Sequence, residues 1–293
     1  MRRVRDWWAN PWGQPRALAV VTWLYMAWSI IPVCIAIMFS FNDGKSRSVW
    51  QGFSFRWYWG DPNQSVWNDP SLRGALEQSL KLAGFDMLIA VPLGVGLAIG
   101  LTRWRGFGAK PVNFLMLFPL VTPEIVMAVS LLLVFTTLYK VQLGTTAQVL
   151  GQVTFSVSYV VLVVRSRLLS IGPEYEEAAR DLGASRIGAL RLVLLPLLTP
   201  AIFASLVVVF ALSIDDFVVT DYLSSNSSTQ TVPIKIYSSV RGTATPALNA
   251  VATVLVAATL CAVLLAGLVY KKVNSKQSAE KGSALHDIAA LEM

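Results

Sequence analysis

The stretch "GPEYEEAARDLGASRIGALRLVLLPLLTP", Gly172 to Pro200, is a polar island between two apolar runs. Gly172-Pro173 ends whatever precedes it, and Glu174, Glu176 and Glu177 then fill a first turn, where the helix dipole favours anions. Ala178 and Ala179 keep one surface flat, and Gly183 supplies the left-handed residue that closes a helix. A second amphipathic piece follows and climbs to Pro196. At 1.5 Å per residue the first helix is only about 14 Å long, too short to be stable alone. It is expected either to dock in a partner's groove or to be a solvated surface turn.

The chain on both sides is built for hydrocarbon. Of 293 residues 55% are hydrophobic and 14% charged, with a mean hydropathy of +0.57. That composition belongs to an integral membrane protein and excludes an ordinary soluble enzyme. A bilayer needs about 20 apolar residues per helical crossing. Six such windows run over residues 17–39, 74–101, 112–138, 148–169, 200–219 and 247–270. The approach to the first is too long and polar for a cleaved leader, so it is read as a retained span. Most of the 24 Lys and Arg fall in connections that share a side with both termini, so both termini are expected inside. The organisation predicted is a cytoplasmic segment 1–16, a six-helix all-α membrane domain 17–270 with an inner loop at about 170–199, and a cytoplasmic tail 271–293.

Several chemistries lack raw material. Gly44-Lys45-Ser46 is the tail of a phosphate loop, but Phe39 stands where its first glycine belongs. Gly96 and Gly100 miss the dinucleotide spacing and suit helix packing in lipid instead. His286 is the only histidine and lies in a polar tail, so no Ser-His pair and no metal site is expected. Cys34 and Cys261 read as small buried hydrophobes within spans. The net charge of +7 forms no stripe of the kind that nucleic acid requires, and it suits orientation against membrane lipid.

The inner loop resembles a known pattern. Glu177-Ala178-Ala179, three residues, Gly183, nine residues and Val193-Leu194-Leu195-Pro196 is similar to the EAA loop of ABC importer permeases, with Val193 in place of the usual Ile. "SIDDFVVTDYLSS", "TVPIKIYSSVRGTATPALNAVAT", "TPEIVMAVSLLLVF" and "GFSFRWY" extend the likeness to the second permease subunit of bacterial spermidine/putrescine importers. Asp221 and Asp86 depart from that pattern. The resemblance implies a type I permease fold in the bacterial inner membrane. It further implies that Glu177, Ala178, Ala179, Gly183, Leu195 and Pro196 couple to a cytoplasmic ATPase. The implied machine contains a second permease subunit as a heterodimer partner, a dimer of ATP-binding subunits and an extracytoplasmic substrate-binding protein. ATP and Mg would be bound by the partner ATPase, with no cofactor and no catalysis in this chain.

Carboxylates in the spans point to the cargo. Asp215 and Asp216 lie near the end of window five and Glu124 in window three, where a buried charge costs about 2.5–3.5 kcal/mol. Pro119 and Pro123 interrupt the helix beside Glu124 and free carbonyls, which is tolerated only at a cavity or against protein. Counted along straight helices, Glu124 lies near the midplane and the aspartates nearer the outer mouth, staggered along a path for a long polyamine. On one helix the two aspartates diverge by about 100 degrees, so one of them is expected to face the path and the other to bond locally, with Ser213 among its partners. Glu77 and Lys81 are spaced for a local pair. Trp57, Tyr58 and Trp59 read either as a headgroup-level belt or as an aromatic wall for a cation. The substrate path is thus expected to use Glu124, Asp215, Asp216, Ser213 and Trp57. The alternatives are a permease for another small cationic or amino-acid-like solute and a stand-alone channel.

Overall fold

The computed structural model of the chain describes residues 16–46, 48–103, 106, 108–240 and 245–291. The expected N-terminal segment, apart from Arg16, lies outside these residues, as do Arg105 and Arg241. The fold is all-helical, with no extended strand among the described residues. Helix α1 spans Arg16–Phe39 and α2 spans Pro70–Arg103. The third window is broken into α3 (Ala109–Leu115), α4 (Phe118–Val121) and α5 (Glu124–Leu133), with a π-turn at Val134–Leu138. Next come α6 (Thr145–Ile171), α7 (Glu174–Asp181) and α8 (Arg186–Ala189). A π-turn over Leu190–Leu194 leads into α9 (Leu195–Asp215). Short α10 (Val218–Tyr222) and α11 (Val232–Val240) precede α12 (Pro246–Leu291). Five helices are long and apolar enough to cross a bilayer, or six if the bent third pair is one span.

Helices α2, α6 and α9 form the packed heart. Gly94 sets the closest approach of α2 to α6: a Cβ there would lie 2.5 Å from the Val160 Cβ. Gly96 and Gly100, whose spacing suits helix packing in lipid, meet no atom of this chain within 4 Å and lie on the other side of α2. One apolar cluster joins Val91, Val160, Leu168, Leu194, Leu198 and Val209 toward the inner loop. A second ties Trp57, Leu76, Ile214 and Val251 beneath the outer segment. By contrast, α1 buries none of its apolar window, and Cys34 and Cys261 are exposed rather than buried.

Running through this apolar heart is a polar seam that composition windows pass over. Gln148, Gln152 and Ser156 recur every four residues on α6, and Gln78 and Asp86 lie eight apart on α2, so each set shares one helical face. All five are buried. Gln78 Nε2 donates to Gln148 Oε1 at 2.8 Å, and Gln148 Nε2 donates to the Thr220 and Thr229 carbonyls at 2.9 Å each. Ser156 donates to one Asp86 oxygen at 2.7 Å, while Oδ1 of Asp86 has no partner among the described groups. Such bonds satisfy polar groups that water cannot reach.

The outer segment folds on its own aromatics. Trp57 is fully buried and its indole N–H donates to the Asn42 carbonyl at 2.5 Å. Phe41 stacks on Phe53 and on Tyr58, and Phe55 stacks on Trp59. The Asn63 backbone N–H, together with the paired Arg56 guanidinium, holds the Asp61 carboxyl below the usual carboxylate range against the opposing effect of its desolvation. Further along, Glu77 pairs with Arg73, one turn before it, at 2.7 Å instead of with Lys81, one turn after.

Candidate functional site

The third window bends at Thr122-Pro123, where the pair 109–121 and 124–138 meets at 106°. Pro123 has no N–H to continue the ladder and caps α5 in an extended conformation. Glu124 therefore begins a helix, at the end whose dipole favours its charge. Across from it α9 stops at Asp215 because Asp216 leaves the helical region (ψ 116°). Asp216 then caps α10: its Oδ1 accepts from the Val219 N–H at 3.1 Å, and its own carbonyl accepts from the Thr220 hydroxyl at 2.8 Å.

These two breaks face one cavity of about 420 Å³, lined by Glu124, Asp215 and Asp216 together with Phe155, Tyr159 and Phe217. Glu124 and Asp215 are exposed to it, whereas Asp216 is only 4% exposed. The Glu124 and Asp216 carboxyls border the same cavity, near enough to feel each other's charge. The three acids thus border one cavity, which residue counts along straight helices did not anticipate because both helices break beside it. The two aspartates do part company, though through the break and not through helical rotation: Asp215 is exposed, whereas Asp216 is buried and accepts locally from the Val219 N–H and from Gln152.

Two expected site residues lie elsewhere. Trp57 is spent on anchoring the outer segment and does not line the cavity; the aromatic wall is Phe155, Tyr159 and Phe217. Ser213 is 2% exposed and donates to Gln152 Oε1 at 2.7 Å, behind the cavity and not in it. Gln152, missed in the sequence, donates to Asp216 Oδ2 at 3.1 Å and to the Ser213 carbonyl at 3.2 Å. The signal for it was the four-residue polar rhythm of α6.

Among the described residues the ion pairs are Arg56–Asp61, Arg73–Glu77 and Arg103–Glu176, so no described Lys or Arg of this chain pairs with the cavity acids. A second depression, about 800 Å³ and mostly apolar, shares Ala211, Asp215 and Phe217 with the cavity and continues along Val232, Ile236 and Leu255. Asp215 thus stands on the divide between a carboxylate pocket and a greasy one. Such an arrangement can hold an ammonium group and cover attached methylenes, and its carboxylates repel an anion.

The inner loop is the second candidate. Helix α7 starts after Gly172-Pro173 with Glu174, Glu176 and Glu177 in its first turn, and Gly183 (φ +89°) closes it, with its N–H on the Arg180 carbonyl at 2.9 Å. Glu177, Ala178 and Gly183 are exposed, Ala179, Leu195 and Pro196 half-buried. Beside them Leu182 is 90% exposed and Leu192 78%. Glu176 turns inward to pair with Arg103 at the end of α2, a link that the sequence reading did not foresee. Arg165 at the inner part of α6 donates to Asn113 Oδ1 at 2.6 Å and so holds the inner arm of the broken span.

Comparison with known proteins identifies the family. Residues 90–278 match the family described as binding-protein-dependent transport system inner membrane component. The chain is 37% identical over 251 residues to the spermidine/putrescine transport system permease protein PotC of Escherichia coli K12, covering 86% of this chain and 90% of that protein. It is 34% identical over 255 residues to the putrescine transport system permease protein PotI of the same organism, covering 85% and 87%. A chain of a bacterial ABC transporter that imports the acidic polysaccharide alginate superposes with a TM-score of 0.72 at 17% identity, over 92% of this chain and 96% of that one. A chain of the MetNI methionine transporter gives 0.53 at 19% identity, over 69% and 93%. These likenesses show a shared fold.

Proposed function

The chain belongs to the family of binding-protein-dependent transport system inner membrane components, a multi-pass subunit of the bacterial inner membrane, and from that premise we propose that it forms half of a path for polyamines. The observation that carries the cargo class is the cavity of Glu124, Asp215 and Asp216 with no basic residue paired to any of them among the described residues. Unpaired acids in hydrocarbon are expensive, and a travelling ammonium removes that cost. Phe155, Tyr159 and Phe217 support the same reading, since rings attract cations and cover methylenes.

The remaining parts follow from the family. Six spans place both termini in the cytoplasm, the side with most of the Lys and Arg. A second permease subunit completes the path, an extracytoplasmic binding protein delivers cargo, and two ATP-binding subunits hydrolyse ATP with Mg. This chain performs no hydrolysis. Helix α7, carrying Glu177, Ala178 and Ala179 with Leu182 beyond them, docks into the ATPase, and Leu195 and Pro196 carry its movement into α9. The exposed Leu182 supports docking, because an isolated solvated turn gains nothing from it.

The test is uptake by the assembled complex in proteoliposomes. Replacing Glu124, Asp215 and Asp216 together by their amides should raise the KM for spermidine and putrescine at least tenfold, about 1.4 kcal/mol, with the complex still assembled. Unchanged uptake kinetics would overturn the cation reading.

A further inference from the structure

Resting on that cation-import reading, we infer that Gln152 is a positioning residue for the cargo site, acting through Asp216. Gln152 is fully buried and uses both ends of its amide. Its Nε2 donates to Asp216 Oδ2 at 3.1 Å and to the Ser213 carbonyl at 3.2 Å, and its Oε1 accepts from the Ser213 hydroxyl at 2.7 Å. The Ser213 carbonyl, which can only accept, fixes which way the amide points, the Ser213 hydroxyl braces its other end, and the amide in turn aims an N–H at the carboxyl. Asp216 Oδ1 is held separately by the Val219 N–H.

Both donors to Asp216 are neutral dipoles. A Lys or Arg at residue 152 would orient the same carboxyl but would also cancel its charge and leave nothing for an arriving cation. A neutral amide orients the acid and keeps the charge available. It also bridges α6 to the broken end of α9, so the acid stays opposite Glu124 although no helix backbone holds it there. The glutamine thereby separates two demands that a membrane interior usually sets against each other, satisfying a buried carboxyl and leaving it open to cargo.

A double-mutant cycle on the assembled transporter tests this. Gln152→Leu keeps the volume and removes the donor; it should raise the KM for spermidine about tenfold, the loss of one hydrogen bond to a charged group, with Vmax within about twofold. In an Asp216→Asn background the same substitution should change KM by less than about twofold, because the group it acts through is already altered. An equal effect in both backgrounds, or a fall in Vmax with no change in KM, would overturn the proposal. If Gln152→Leu does not assemble, Ser213→Ala removes only the hydroxyl that braces the amide oxygen; its smaller KM increase should also vanish with Asp216→Asn, and effects that multiply would count against the assignment. If the wild type imports no spermidine or putrescine, the cargo reading falls by itself. The cycle is then read as melting temperatures of the four complexes: losses that fail to add retain Gln152 as the holder of Asp216, and additive losses reject it.

Discussion

Replacing Gly183 by alanine, asparagine and proline separates backbone strain from crowding in the inner loop. Gly183 has φ +89°, and a Cβ built on it meets no atom within 4 Å. Alanine therefore costs only the left-handed backbone, about 1–2 kcal/mol. That lowers the population of correctly turned loop by roughly 5–30-fold. Asparagine enters that region more readily than alanine and should cost less. Proline is locked near φ −65° and lacks the N–H that Gly183 donates to Arg180, so it abolishes the turn. In proteoliposomes holding the whole transporter, cargo-stimulated ATP hydrolysis should fall in the order glycine, asparagine, alanine, proline. Cargo binding by equilibrium dialysis should stay level across the series. Alanine as damaging as proline, or asparagine worse than alanine, would refute the reasoning, because either result means that packing and not φ governs the position.

Two further outcomes follow from the packing. Gly94→Ala should lower the melting temperature of the complex and cost about 1–3 kcal/mol, since its Cβ would sit 2.5 Å from Val160, whereas Gly96→Ala and Gly100→Ala should leave it within error. Equal losses at all three would place the α2–α6 contact elsewhere. Glu176→Arg should impair coupling of ATP hydrolysis to uptake, and adding Arg103→Glu should restore part of it, an effect of about 0–1 kcal/mol for a pair this exposed. No restoration would mean that the pair does not transmit anything.

The inner loop was legible because its signals are local: a Gly-Pro stop, acids in one turn and a glycine where φ must be positive all act within a few residues. Pro123 likewise announced its break. What followed from the break was not legible, since the depth of Glu124 and of the aspartates was reckoned along straight helices, and bends of that size relocate everything downstream. Gln78, Gln148 and Gln152 were overlooked because hydropathy windows average them away, although their spacing put them on common faces. Gly94 was overlooked beside the Gly96 and Gly100 spacing, because a four-residue spacing specifies a face of α2 but not which neighbour meets it. Trp57 could serve a belt, a wall or a core, and only the tertiary fold separates these.

The corner at Thr122-Pro123 has a mechanical meaning. A straight rod in a bilayer can slide or tilt, but an elbow of 106° turns thrust along one arm into a sideways sweep of the other. With an inner arm of about 20 Å, a swing of ten degrees carries its far end about 3.5 Å. Glu124 sits at the vertex, where such a swing displaces an atom least, so the limbs can travel while the acid keeps its place beside Asp216.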